Sequence, residues 1–295
     1  MPQVVGILQM QGRGGSVFPD GKNDIGEVFI PAGELRGAPF GMKVVVELTS
    51  APDADQATGK VLKVLGDPNR PDVAMEGIIH MHGLRQEFPD EVIAQAMAIP
   101  DSLSEAQVNE EISRGREDLR HLKTLTIDGM EAKDLDDAIS IEKTRQGFRL
   151  WVHIADVAHY VTEDSPMDKE ALERGNSVYL ADRVLPMLPP QLSNGICSLN
   201  PGQDRFTLSV ALDYGKHGQL LDGNIMESVI RSDLRANYDD ILTSITNDKP
   251  VAGYEDFMDE IRDMAVLAGI LEEKSQDRGA LEFDFVETKI EVDKD

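Results

Sequence analysis

Two kinds of periodicity divide the chain. Over residues 3–65 the apolar positions come in short runs, at 4–10, 16–18, 28–30, 44–48 and 60–65. Turn clusters separate them, notably Gly12-Arg13-Gly14-Gly15 and Pro19-Asp20-Gly21. Runs of this length at this spacing predict about five short strands, which suit a small closed barrel of the OB type. A generic β-barrel without a ligand has the same pattern. Farther on, Ile139, Ile141, Phe148, Leu150, Val152 and Ile154 alternate on either side of a polar turn at 144–147. That period predicts a hairpin with one buried face. Residues 207–214 and 219–230 predict two more strands joined at Gly215-Lys216-His217-Gly218. Phe257, Ile261, Met264, Leu267 and Leu271 share one face of a helix expected over 255–274. Residues 281–286 predict a further strand after the Arg278-Gly279 break.

Between these regions lies a connector. It opens on the turn cluster Gly66-Asp67-Pro68-Asn69-Arg70-Pro71 and contains a short helix expected over 91–97. Ser102 and Glu105 have capping-box spacing ahead of Val108 and Ile112. The expected organisation is a barrel over 1–70, a connector over 71–123 and a larger domain over 124–295. Strands and helices mix there without βαβ alternation, so the fold class is α+β. The chain closes on Ile290-Glu291-Val292-Asp293-Lys294-Asp295, a strand barely begun, which suggests a domain cut short.

Composition narrows the picture. The 295 residues are 41% hydrophobic, enough for a sizeable core. No apolar run approaches the roughly 20 residues of a membrane helix. The N-terminus has no basic stretch leading into a long apolar segment, so no signal peptide is expected. The lone Cys197 cannot form an internal disulfide, which fits a reducing, cytoplasmic setting. Net charge is −25, which argues against a polyanionic partner. Residues 1–70 carry seven basic and eight acidic groups, whereas 71–295 carry 22 and 46. A nucleic acid could approach the second region only through a locally positive channel or bound metal.

Asp128, Asp134, Asp136 and Asp137 fall within ten residues, directly before the expected hairpin. Like charges this close raise one another's pKa. Either water screens them on an open turn, or a hard divalent cation such as Mg²⁺, or Mn²⁺ in its place, holds them. Their position at the edge of a sheet favours the metal site.

This stretch, Ile127-Asp128-Gly129-Met130-Glu131-Ala132-Lys133-Asp134-Leu135-Asp136-Asp137-Ala138, resembles the signature of the ribonuclease II / ribonuclease R family. The resemblance continues through Val152-His153-Ile154-Ala155-Asp156-Val157-Ala158-His159-Tyr160-Val161 and Arg174-Gly175-Asn176-Ser177-Val178-Tyr179-Leu180. It extends to Arg183-Val184-Leu185-Pro186-Met187-Leu188-Pro189 and Leu192-Ser193-Asn194-Gly195-Ile196-Cys197-Ser198-Leu199-Asn200-Pro201. The expected fold is then a cold-shock-like barrel followed by an incomplete mixed α/β ribonuclease catalytic domain. The resemblance implies a metal-dependent 3′-to-5′ exoribonuclease that releases nucleoside 5′-monophosphates from single-stranded RNA. It implies Asp128, Asp134 and Asp137 as metal ligands and Asp136 as the carboxylate most directly needed for turnover.

It also implies base stacking by Tyr179 and Phe283 and ribose sensing by Tyr238; core packing is the other reading of Phe283. His153 and His159 are structural in the family. Leu135 stands where an aromatic is usual, and the barrel is poorer in aromatics than the usual cold-shock surface. The family's catalytic domain runs well past the position of Asp295, so an inactive fragment that binds RNA through its barrel is the alternative.

Overall fold

The computed structural model describes residues 2–21, 25–50, 56–281 and 283. It divides into two compact units. Among the described residues, one comprises residues 2–88 and Arg174–Met187; the other comprises Pro89–Glu173 and residues 188–283.

The first unit is built on a closed barrel of β1 (Gln3–Gln11), β2 (Gly14–Pro19), β3 (Val28–Ile30), β4 (Lys43–Leu48) and β5 (Ala57–Gly66), in the order β1-β2-β3-β5-β4. Alternation fills it: Val4, Leu8, Val17, Val28, Ile30, Val44, Val46, Leu48 and Val61 form one buried cluster. The five expected strands are all present. Residues expected only as connector contribute α1 (Pro71–Met81), whose Pro71 opens the helix as sequence rules allow. It packs on β1, β4 and β5 and buries Val73, Gly77 and Ile79.

The second unit begins with α2 (Asp90–Ala98) and α3 (Glu105–Ser113). The cap of α3 differs from the expectation. Ser104, not Ser102, is the N-cap, and Gln107 completes the box by bonding back to the Ser104 amide. Ser102 lies two residues outside the cap position, where its hydroxyl is out of register with the first free amides.

The core of this unit is a seven-stranded sheet. Its strands are β6 (Glu117–Asp118), β7 (Leu125–Asp128), β8 (Asp137–Lys143), β9 (Gly147–Ala155), β12 (Asp204–Gly215), β13 (Leu220–Arg231) and β14 (Leu234–Asn237). Between β9 and β12 the chain forms α4 (Pro166–Arg174), then β10 (Val178–Tyr179) and β11 (Val184–Leu185), which pair with each other as a separate ribbon. The sheet order is β14-β7-β8-β9-β12-β13-β6. Its two outer pairs, β14/β7 and β13/β6, are parallel and the rest antiparallel, as a mixed α+β domain implies. Gly147 closes the β8–β9 turn at φ 155°, where a Cβ would meet the Tyr214 carbonyl oxygen at 2.3 Å.

One face of the sheet is apolar. Helix α6 (Met258–Asp277), preceded by α5 (Tyr238–Asn247), covers Ile141, Phe148 and Leu150 with Met264, Leu267 and Leu271. The sequence pattern anticipated the helix and its apolar face, but not the strands it covers. The expected strand at 281–286 lies outside the described residues apart from Leu281 and Phe283.

The other face is buried too, although a line of polar residues crosses it. The Thr124 hydroxyl meets that of Ser140 at 2.8 Å, and Ser140 meets His153 Nε2 at 3.2 Å. His153 Nδ1 meets Ser209 at 2.6 Å, and Ser209 meets Ser228 at 2.5 Å. Ser228 then bonds Thr207 at 2.7 Å. Five strands or strand starts are thus stitched by hydroxyls around one imidazole. A neutral imidazole offers one donor and one acceptor, and hydroxyls can complement both. Arg116 closes the end of this ladder. It donates to the carbonyls of Thr207 and Ser228, pairs with Asp156 at 2.7 Å and lies over the Phe206 ring.

Burial with no carboxylate partner lowers the His153 pKa to about 4. Above the unfolded value of about 6.5 both states are neutral, so the full stability is present. As pH falls below that value the unfolded chain takes up a proton that the folded chain refuses, and stability is lost. Between about pH 7.5 and pH 5 the loss should be about 2 kcal/mol, the free-energy equivalent of the proton uptake. Urea unfolding of the parent and of His153→Gln at both pH values tests this. The variant should show a smaller pH dependence by that amount, and equal slopes would exclude it.

Candidate active site

The four aspartates lie where β7 ends and β8 begins. Asp128 is the last residue of β7 and Asp137 the first of β8. Asp134 and Asp136 occupy the loop between these strands, and the Asp136 carbonyl accepts from the Ala155 amide at 2.9 Å. Strand β14 runs parallel to β7 with Asn237 opposite Asp128. Asn237 caps α5 by accepting from the Asp240 amide at 2.9 Å, and Tyr238 is the first helical residue. The sheet therefore brings Asp128, Asp137 and Tyr238 to one of its ends. Tyr238 is 62% exposed there.

The loop is tied down from two sides. Arg235 on β14 donates to the carbonyls of Met130 and Ala132 at 2.9 and 2.5 Å. From the other side, the Ser198 hydroxyl donates to the Lys133 carbonyl at 2.9 Å and accepts from the Leu135 amide at 3.1 Å. The Leu199 amide donates to the Leu135 carbonyl at 2.9 Å. Leu135 is fully buried, so the aliphatic exchange at this position is accommodated inside the protein. The Ser198 segment is held in turn by the buried Arg205, which donates to the carbonyls of Ser198 and Gly195 at 2.8 and 3.1 Å. Arg235, Ser198 and Arg205 were not among the expected site residues. All three act on backbone carbonyls or amides, and such partners leave no mark in a sequence pattern.

The carboxylates sense one another. Loss of hydration, then the Asp137 charge, raises the Asp128 pKa; Arg235 opposes the shift and Asp134 adds to it. Asp136 is exposed as a residue, yet its carboxyl is sufficiently enclosed that desolvation is again the largest cause. The charges of Asp134, Asp137 and Asp128 raise it further.

Asp128 Oδ2 is buried with no hydrogen-bond partner. A buried carboxylate oxygen without a donor is costly unless a cation or proton attends it. The donor set, all hard oxygen, suits Mg²⁺ or Mn²⁺. Among the described residues, no three His, Cys, Asp or Glu side chains converge into a formed metal cage. The residues thus fit a divalent ion by donor type and mutual repulsion, not by a finished geometry.

Tyr179 is 66% exposed on the β10–β11 ribbon of the barrel-containing unit. Phe283 is 68% exposed, so core packing does not account for it. His153 belongs to the buried ladder, and the His159 ring packs edge-on against Tyr160 and Phe206. Cys197 is buried and its thiol pKa is pushed up to about 12, as expected of a packed thiol. No helix among the described residues is long and apolar enough to cross a membrane.

Arg235→Met should release residues 129–134 and let the Asp128 pKa rise further, because the one cation that lowers it is gone. Carboxyl-carbon NMR titration in the absence of metal measures the shift; an unchanged or lower Asp128 value would exclude this role.

Comparison with known proteins places these features in context. The RNB domain model matches residues 116–295, and a cold shock domain model matches residues 17–89. Ribonuclease R of Thermotoga maritima is 41% identical over 299 residues, covering 100% of this chain and 41% of that protein. Among solved structures, Mycoplasma genitalium RNase R in complex with double-stranded RNA superposes with a TM-score of 0.88 at 27% identity, covering 100% of this chain and 51% of that one. The same enzyme in complex with ribose methylated single-stranded RNA gives a TM-score of 0.84 at 26% identity, covering 99% and 46%. The chain spans from 31% to 52% of the length of the curated relatives compared.

Proposed function

Because the chain belongs to the RNB-domain family, we propose that it is part of a 3′-to-5′ exoribonuclease that hydrolyses single-stranded RNA to nucleoside 5′-monophosphates. The observation that carries this reading is the grouping of four mutually repelling carboxylates at one end of a rigid sheet, beside an exposed tyrosine. The relatives support it by what their names and titles state: ribonuclease R, and RNase R in complex with RNA.

Asp128, Asp134 and Asp137 would hold the divalent ions. When bound, such ions supply an activated water and charge stabilisation at the leaving 3′ oxygen. Asp136 would be the carboxylate on which turnover most directly depends. Tyr238 would contact the terminal ribose, whose 2′-hydroxyl distinguishes RNA from DNA. Tyr179 and Phe283 would stack on bases, an interaction indifferent to base identity. Bound cations would also offset part of the acidic excess of residues 71–295, which carry 22 basic and 46 acidic groups, where the phosphate backbone approaches.

A second reading has its own support. A cold shock domain model matches residues 17–89, which include most of the closed barrel. On that reading the chain binds RNA weakly through its barrel and does not cleave it.

Incubation with 3′-labelled single-stranded RNA and Mg²⁺ separates the two. The first reading expects labelled mononucleotides, and Asp136→Asn should slow their release by about a hundredfold or more, the usual scale for a lost electrostatic group in a reacting site. RNA retention on a filter should be unchanged in that variant. Retention without release, in parent and variant alike, would favour the second reading.

Chelation gives a further check. Ethylenediaminetetraacetate should stop release, and added Mg²⁺ or Mn²⁺ should restore it. Release that persists through chelation would remove the metal from the proposal.

A further inference from the structure

We propose that Arg174 is a positioning residue whose side chain fixes the short ribbon presenting Tyr179, an inference that rests on the stacking role proposed above. Arg174 is the last residue of α4. Its Nη1 donates to the carbonyls of Arg85 at 2.9 Å and Pro186 at 3.2 Å, and its Nη2 donates to that of Glu87 at 2.7 Å. The guanidinium carbon lies 3.7 Å from the centre of the Phe88 ring. One planar group therefore binds the start of the 174–187 segment to its end, and both to residues 85–88. All these partners lie within the compact unit that contains the barrel.

The ribbon cannot hold itself. Only two residue pairs join β10 to β11, Val178 with Leu185 and Tyr179 with Val184. An isolated two-stranded hairpin is marginal in water even when longer. Its tip has a second anchor, since Arg183 donates to Glu76 on α1 at 3.1 Å. At its base the two arms share one further bond, from the Met187 amide to the Ser177 hydroxyl at 3.0 Å. Arg174 is the anchor that joins both ends of the segment to one scaffold.

The geometry also specifies arginine. Three carbonyls and a ring face require a flat, multiply donating cation. A lysine ammonium is a compact point charge that cannot fork between two segments while stacking on an aromatic face.

The test compares Arg174→Lys, Phe88→Leu and Tyr179→Ala with the parent, each in the full 295-residue chain. Amide hydrogen exchange reports on residues 177–187, with residues 204–231 as the internal reference. Quenching of 2-aminopurine at the 3′ end of a short single-stranded RNA reports on stacking.

Arg174→Lys and Phe88→Leu should each speed exchange in 177–187 about tenfold or more, the equivalent of one charge-assisted hydrogen bond, with 204–231 unchanged. Both should also reduce quenching toward the Tyr179→Ala level. Unchanged exchange in 177–187 for Arg174→Lys would overturn the proposal, as would equal acceleration in 204–231. If Tyr179→Ala leaves quenching unaltered, or the parent shows none, the stacking role of Tyr179 fails by itself. The exchange data still decide whether Arg174 holds the ribbon.

Discussion

The buried line of hydroxyls around His153 fixes the register on which everything else depends. Ser140, His153, Ser209 and Ser228 come from four adjacent strands and meet only if each pair is aligned as found. A slip of one residue would turn these groups to the opposite face and leave each buried and unpaired, at a cost of about 1–3 kcal/mol per group. Apolar packing under α6 tolerates small shifts in a way that this polar line does not. The same register sets Asp137 opposite Ile154 at the entrance to β8 and so places the acidic loop.

The acidic loop is kept in place largely by backbone contacts. Four carboxylates in ten residues would splay apart if nothing but their own charges acted. Ser198, Leu199 and Arg235 grip its carbonyls and amides through the main chain. The motif around Cys197 and Ser198 is thus the brace of the site, and the buried Arg205 is the brace of that motif.

The barrel was legible because each strand alternates over a single core, as Val44, Val46 and Leu48 show. The hairpin at 137–155 was legible for the same reason, and the aspartates by their density. The second face of the sheet was not. Ser140, Ser209 and Ser228 alternate with apolar residues and look solvent-facing, yet all are buried because they satisfy one another. Helix α1 was hidden behind the turn cluster that precedes it. The cap of α3 was misplaced because Ser102 and Ser104 both fit a spacing rule that only geometry separates. The roles of Arg174, Arg205 and Arg235 escaped notice because most of their hydrogen-bond partners are main-chain oxygens, which every residue possesses.

The Ser198 clamp has a consequence for the order of events during synthesis. Leu135 waits for a hydroxyl 63 positions farther along the chain. While the ribosome is still making that stretch, the acidic loop has left the exit tunnel without the contacts that Ser198 supplies. A chain ending before Ser198 would lack the two hydrogen bonds by which this hydroxyl holds Lys133 and Leu135. The fold in this way postpones assembly of the site until the brace itself has been translated.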